Sequence, residues 1–229
     1  MLPRLELGIF SLDDKFNAQT FLQALFDKFR FIETRLNTDN KINNLNTSLL
    51  TSQVQVLSLK EDYESLFVNY RKDRKKDLVK ANKLDLIEKW NDKPGVLINL
   101  FKNNVGKRTP NIQEEDYQVL QKLIEVCIEK RVGEILSIYD NENKLVASGF
   151  FLKHKKTVTI LVSSTDFSNR KNGGNTFLID RAIYKFAKNF DVFNFGGSSI
   201  QSVAKYFLSF GAQTLNYQQV KYNKLPFLL

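Results

Sequence analysis

Three closely spaced strand patterns in the second half of the chain constrain its fold more than any other feature. Residues 134–139, 145–152 and 158–163 are rich in apolar and β-branched side chains, and polar turns at 140–143 and 154–157 separate them. Turns this short join antiparallel neighbours, whereas a parallel pair needs a crossover of a dozen or more residues. The spacing therefore predicts an antiparallel meander.

Helical periodicity surrounds this meander on both sides. From residue 84 onward the predicted order is strand, helix, helix, the three strands, helix, strand, helix, strand, and the last strand covers 215–222. The hydrophobic fraction of 42% is enough to give 229 residues a sizeable core. Helices that alternate with strands cover the faces of a sheet. We therefore predict an α/β class with α+β character, in which helices pack on a mixed sheet.

The opening segment repeats only the end of that order. Strand, helix, strand, weak helix and strand patterns occupy residues 5–59, with 39–52 interpreted as a loop or weak helix. The run from 158 to 222 has a similar order of elements, which suggests two related units. The alternative is that this segment is an α/β extension of one domain.

The predicted division of the chain follows from this repeat. Residues 1–60 are expected to form a partial lobe, and residues 83–229 a complete domain. A long basic helix at 61–82 connects them, and Ser58 and Glu61 are predicted to begin it as a capping box.

Composition excludes several classes of site and location. Cys127 and His154 are each the only residue of their type, so no internal disulfide and no zinc site built from those ligands is expected. No apolar run approaches the ~20 residues of a membrane span, and no signal-peptide pattern opens the chain. These features favour a cytoplasmic protein without a transmembrane segment.

The chain carries a formal net charge of +9. A basic surface attracts RNA, anionic lipid or the phosphates of a cofactor. The alternative is a genome that favours lysine codons. The charge is concentrated at one place in a helix, where Arg71, Lys72, Arg74, Lys75, Lys76 and Lys80 follow one another. Such a helix either tracks a phosphate backbone or presents a solvated face.

A polar loop after the third meander strand is a candidate anion site. It contains Arg170 and Lys171 and ends in the glycine pair at 173–174, immediately before a predicted helix. Free N–H groups and the positive end of a helix dipole favour anions there, and glycines allow close approach of a phosphate. The alternative is an ordinary surface loop. The candidate binding residues are Val162, Ser164, Arg170, Lys171, Asn172, Gly173, Gly174 and Asn175.

Two segments carry a resemblance to a known family. They are VNYRKDRKKDLVKANKLDLIEKW at 68–90 and FNFGGSSIQSVAKYFLSFGA at 193–212, in which a strand ends at glycines and a helix closes with Phe-Gly. With the element order from residue 84, they resemble GNAT-fold acyltransferases of the bacterial Fem-like branch. That branch comprises aminoacyltransferases and peptidoglycan- or lipid-modifying enzymes, whose members commonly have two GNAT-like lobes.

The resemblance implies an N-acyltransferase. The acyl carrier, an acyl-CoA cosubstrate or an aminoacyl-tRNA, lies between splayed strands at 158–163 and 192–195, with any pyrophosphate on the loop at 170–175. An N–H near Val162 or Ser163 stabilises the oxyanion, and a tyrosine protonates the leaving group. The implied acceptor is an amine, such as a cell-wall or lipid precursor, and no metal takes part.

Two positions depart from the family pattern. The carrier loop ends in Asn175 where glycine or alanine is usual. Phe207 stands where the family has the tyrosine that acts as general acid, and the nearest hydroxyl is that of Tyr206, one residue earlier. The candidate catalytic residues are therefore Tyr206 and Ser163. Two alternatives stay open, a degenerate relative that binds without catalysis and an RNA-binding protein. Exposed edges of a partial lobe also make a homo-oligomer plausible.

Overall fold

The computed structural model describes residues 8–11, 17–40, 42–43, 47–109, 111–196 and 200–226, without the side chain of Asn169. Seven helices and eight strands occupy these ranges, with 3₁₀ turns at Gly106–Arg108 and Phe167–Asn172. In chain order the elements are α1 Ala18–Lys28, β1 Phe31–Arg35, β2 Ser48–Ser58, α2 Tyr63–Val68, α3 Lys72–Lys83, β3 Ile87–Trp90, α4 Pro94–Asn103, α5 Glu114–Glu129, β4 Gly133–Tyr139, β5 Leu145–His154, β6 Thr157–Thr165, α6 Gly174–Phe186, β7 Val192–Asn194, α7 Gln201–Leu208 and β8 Gln213–Asn223.

All of these strands belong to one mixed sheet. Its order is β1-β8-β2-β7-β6-β5-β4-β3. Every neighbouring pair is antiparallel except β6 and β7, which are parallel. The predicted mixed sheet and the meander of β4, β5 and β6 are therefore confirmed.

Helices cover both faces of this sheet. The neighbouring residues Phe150 and Phe151 of β5 belong to different apolar clusters, because successive strand side chains point to opposite faces. The cluster around Phe151 contains residues of α2, α3 and α6, and α7 packs at its edge. The cluster around Phe150 contains residues of α4 and α5.

The last strand lies between the first two. β8 pairs with β1 over Phe31–Arg35 on one side and with nine residues of β2 on the other. Helix α1 packs above this end of the sheet, where Leu22 and Phe26 contact Val220 and Tyr222. Asn17 caps α1, because its side chain accepts from the N–H groups of Gln19 and Thr20.

Two predicted elements are wrong. Residues 48–52 are not loop or weak helix but the start of β2, because β8 supplies a full ladder of partners there. The single long helix is two helices, α2 and α3. Asp62 caps the first, in place of the box at Ser58 and Glu61, and the Arg71 N–H donates to the Ser209 carbonyl, which interrupts the helical bonding. Of the strand predicted at 5–10, residues 5–7 lie outside the described residues, and residues 8–10 are not in a strand.

The parallel pair opens a gap in the sheet. β6 and β7 pair only through Thr157–Thr159 and Val192–Asn194. Beyond that point β6 bulges, because Phe150 pairs with Val162 whereas Phe151 pairs with Ile160, and Leu161 is the extra residue. The bulged strand then continues to Thr165 without β7 beside it. The two strands thus separate, as the resemblance implies.

Candidate active site

A cavity of about 520 Å³ lies at the carboxyl end of β6, beyond the point where β7 ends. The start of α6, the side of α3, the turn after α4 and helix α7 form its walls. The residues that line it are Arg74, Asp77, Val105, Ser163, Ser164, Thr165, Phe167, Arg170, Gly173, Asn175, Thr176, Val203 and Tyr206.

The open edge of β6 forms one wall. Ser163 pairs with Gly149 of β5, and none of the described strands pairs with it on the β7 side. Ser164 is buried, and its hydroxyl donates to the Leu100 carbonyl at 3.3 Å. Backbone N–H groups of a strand point alternately to its two sides, so this stretch directs some of them into the gap.

The turn before α6 places the start of that helix at the cavity. Gly173 has φ +83°, and a Cβ there would lie 2.3 Å from the backbone oxygen of Asp77. Only glycine fits this left-handed, tightly packed position. The next N–H, that of Gly174, already donates to the Asn172 side chain at 2.9 Å.

A polar network connects α3, α6 and α7 across the back of the cavity. The Thr176 hydroxyl donates to Asp77 at 3.1 Å and accepts from the Arg74 guanidinium at 2.8 Å. Arg74 also pairs directly with Asp77 at 2.9 Å. The Asn175 amide donates to the Tyr206 hydroxyl at 3.0 Å, and that hydroxyl lies 3.4 Å from the Thr176 oxygen. The network fixes the hydroxyl of Tyr206.

Tyr206 is held as a neutral hydroxyl. Burial raises the pKa of Tyr206 to about 12. The Arg74 guanidinium lies 4.7 Å from the centre of its ring, in a cation–π contact. Asn175 donates to the tyrosine oxygen and Thr176 gives its proton to Asp77, so the phenolic proton points toward the Thr176 oxygen at 3.4 Å, a long contact that a nearer acceptor in the cavity can replace. The arrangement can therefore supply a proton to a group in the cavity.

The structure brings many of the predicted site residues together. Of the candidates, Ser163, Ser164, Arg170, Gly173, Asn175 and Tyr206 line the cavity.

The other candidates do not line it. Val162 is buried in the apolar cluster beneath α4 and α5. Lys171 is exposed, Asn172 bonds to the helix start, and Gly174 packs on Val146.

Phe207 has no place in the polar network. Its ring stacks on Phe195 with centroids 4.9 Å apart, so it extends the apolar core at the end of β7. Tyr206, one residue earlier, turns toward α6 instead. The hydroxyl that α7 brings to the cavity is therefore that of Tyr206, one residue before Phe207.

Sequence reasoning missed several residues of the site. Arg74 was grouped with the basic helix, but its side chain is only 13% exposed and faces Asp77 and Thr176. The i, i+3 pairing of Arg74 with Asp77 on α3 was a usable signal. Thr176 and Phe167 gave none, because polar and aromatic residues near a helix start are common. Val105, Thr165 and Val203 were also missed.

Neither a metal site nor a membrane span is found in the parts of the chain that the structure covers. No group of three or more His, Cys, Asp or Glu side chains there could hold a metal ion. No helix there is long and apolar enough to cross a bilayer.

Comparison with solved structures identifies the fold. FemX superposes with a TM-score of 0.63 at 10% identity, over 86% of this chain and 67% of FemX. L-PGS from Bacillus licheniformis gives 0.58 at 12% identity, over 94% and 76%. A GCN5-related glucosamine N-acetyltransferase region of a fungal β-N-acetylglucosaminidase gives 0.50 at 12%, over 96% and 24%.

These similarities confirm the fold that the resemblance implies. The chain has the GNAT fold, which it shares with FemX and L-PGS. It spans about two thirds of the length of FemX. No family model and no curated protein matches the sequence.

Proposed function

We propose that this protein is an N-acyltransferase that moves an acyl or aminoacyl group from an activated carrier to an amine. The observation that carries the proposal is the cavity between the diverging strands β6 and β7, which holds a neutral tyrosine hydroxyl. The fold supports the class of reaction, because FemX and L-PGS share it.

The groups around the cavity suit an acyl transfer. The amine nitrogen attacks the carbonyl carbon, a C–N bond forms, and the C–S or C–O bond to the carrier breaks. A backbone N–H of β6 at Ser163 stabilises the oxyanion, an effect worth a few kcal/mol. The Tyr206 hydroxyl gives its proton to the leaving sulfur or oxygen, the attacking amine loses one to solvent, and Tyr206 regains one from solvent.

Acyl-CoA fits this cavity in part. Coenzyme A supplies a thioester that activates the acyl group. The open β6 edge and Arg170 suit such a carrier. The start of α6 suits the pyrophosphate of coenzyme A less well. The Gly174 N–H there already donates to the Asn172 side chain, and the negative Asp77 carboxylate accepts from Thr176 close by. Aminoacyl-tRNA therefore stays a second donor class, and a cell-wall or lipid precursor stays the proposed acceptor.

The division of the chain is also proposed. Residues 1–60 form a partial lobe, whose Leu22 and Leu36 share an apolar cluster with Val220 of β8. Residues 61–82 connect and supply Arg74 and Asp77 to the cavity, and residues 83–229 carry the rest of the site. Limited proteolysis of the full chain tests this division. First cleavage near residue 60 supports it, and first cleavage elsewhere contradicts it.

The test of the function is a single-turnover transfer assay. Radiolabelled acetyl-CoA and a mixture of aminoacyl-tRNAs are each offered with a panel of amines to the wild type and to Tyr206→Phe. We expect transfer from one carrier, and a loss of about 100-fold in Tyr206→Phe, because general acids contribute that much.

Tyr184→Phe is the matched control. Tyr184 is 40% exposed on α6 and does not line the cavity, so its hydroxyl should not matter. Transfer from neither carrier would contradict the proposal. Saturable binding of a carrier without transfer would favour the alternative, a binding module.

A further inference from the structure

Two arginines enclose one aromatic ring at the mouth of the cavity. The guanidinium carbon of Arg170 lies 3.4 Å from the centre of the Phe167 ring, and that of Arg108 lies 4.0 Å from the same centre. At these distances both guanidinium groups are in van der Waals contact with the ring. Two groups on the same face would occupy the same space. They therefore stack on opposite faces of Phe167.

The backbone fixes this sandwich. The Asn104 side chain, which is buried, accepts from the Phe167 N–H at 2.8 Å and ties the 3₁₀ turn after β6 to the end of α4. Gly106, two residues before Arg108, packs so closely on Tyr117 that a Cβ would lie 2.3 Å from its hydroxyl. Arg108 thus reaches the ring from a constrained turn.

The two positive charges are not neutralised by the described part of the chain. None of its ion pairs involves Arg108 or Arg170. The acid nearest in sequence, Asp166, accepts from Ser168 and lies 3.9 Å from Lys144. A guanidinium that stacks on a ring keeps its N–H edges free, and these edges bind phosphate oxygens in a bidentate manner.

The usual place for an anion in such a fold is less favourable here. At the start of α6 the Asn172 side chain takes one N–H, and the Asp77 carboxylate accepts from Thr176. Like charges repel, so a phosphate is better placed away from Asp77 and near the arginines.

We propose that Arg108 and Arg170, stacked on Phe167, form a phosphate clamp at the mouth of the cavity. Its ligand class is a phosphate or diphosphate group. That this group belongs to the acyl carrier rests on the proposed function, whereas the clamp itself does not. Arg108 is a binding residue that the sequence analysis did not identify.

Inorganic pyrophosphate is the probe for the clamp itself, since it needs no acyl group. Isothermal titration of the full chain at moderate salt should show saturable binding, and Arg108→Ala should weaken it about tenfold. Lys107→Ala is the matched control, because it removes the same charge from the adjacent exposed position and should change affinity less than about twofold. No saturable binding, or equal losses in both variants, would overturn the clamp.

Phe167→Leu separates positioning from charge. It keeps an apolar side chain but removes the ring faces, so we expect it to weaken pyrophosphate binding with both arginines present. Circular dichroism melting of each variant checks that the chain is folded. Unchanged affinity in folded Phe167→Leu would refute the role of the sandwich.

Carrier probes then identify the source of the phosphate. A loss in Arg108→Ala with acetyl-CoA, but not with acetyl-pantetheine, assigns the clamp to the nucleotide of coenzyme A. A loss with a short RNA hairpin assigns it to a polynucleotide. A loss with neither would overturn the assignment to a carrier. Pyrophosphate binding without any acyl transfer would refute the proposed function and leave the clamp standing.

Discussion

Replacing Thr176 with valine tests the network at the back of the cavity. The change keeps the shape of a side chain that is 2% exposed and removes only its hydroxyl. That hydroxyl donates to Asp77 and accepts from Arg74, and both bonds involve a charged group. Hydrogen bonds to charged groups contribute roughly 1.5–3 kcal/mol each.

The expected loss is smaller than the sum of the two bonds. Arg74 and Asp77 keep their direct contact at 2.9 Å, so neither charge is left alone. We therefore expect Thr176→Val to lower the free energy of unfolding by about 2–3 kcal/mol. For a chain of this size that corresponds to a melting temperature lower by about 5–10 °C.

Urea unfolding followed by circular dichroism measures this loss. Thr159→Val on β6 is the control, because it is the same substitution at a residue that does not line the cavity. Its effect on the free energy of unfolding should stay within about 0.5 kcal/mol. If Thr176→Val is as stable as the wild type, the Thr176 hydroxyl does not hold the network together.

Two further predictions concern stability. Gly173→Ala places a Cβ 2.3 Å from a backbone oxygen of α3 at φ +83°. Measured by urea unfolding, it should lower the free energy of unfolding by about 2 kcal/mol or more. Gly95→Ala is the control and should lower it by nothing, because no atom lies within 4 Å of the new Cβ. Burial alone would raise the pKa of Glu134, but hydrogen bonds from Lys153 and Lys185 lower it overall. A lowered carboxyl pKa adds stability above the unfolded value and loses it as pH falls through the folded value. Glu134→Gln should therefore lower the melting temperature at neutral pH but not at pH ~2, and an equal loss at both would refute this.

Local patterns were sufficient for most of the sheet. The turns at 140–143 and 154–157 lie between strands rich in apolar and β-branched side chains, and the meander follows from them. Residues 48–52 could not be assigned locally, because their strand state depends on β8, which lies some 170 positions later in the chain. The break between α2 and α3 has the same origin, since Ser209 supplies the carbonyl that Arg71 uses.

The site was predictable where the backbone defines it. Gly173 and Asn175 stand out because a glycine turn before a helix is visible in the sequence. Arg74 could not be separated from its basic neighbours, since only the tertiary structure shows that it faces Asp77. Arg108 and Phe167 are far apart in sequence, and no local pattern joins them.

The position of β8 has a consequence for biosynthesis. A ribosome releases β1 and β2 long before it makes the strand that pairs with both of them. Until then their edges have no partner, and unpaired edges invite association with other chains. The emerging amino-terminal segment therefore depends on late translation, and a stalled ribosome would expose it to chaperones and proteases for as long as the stall lasts.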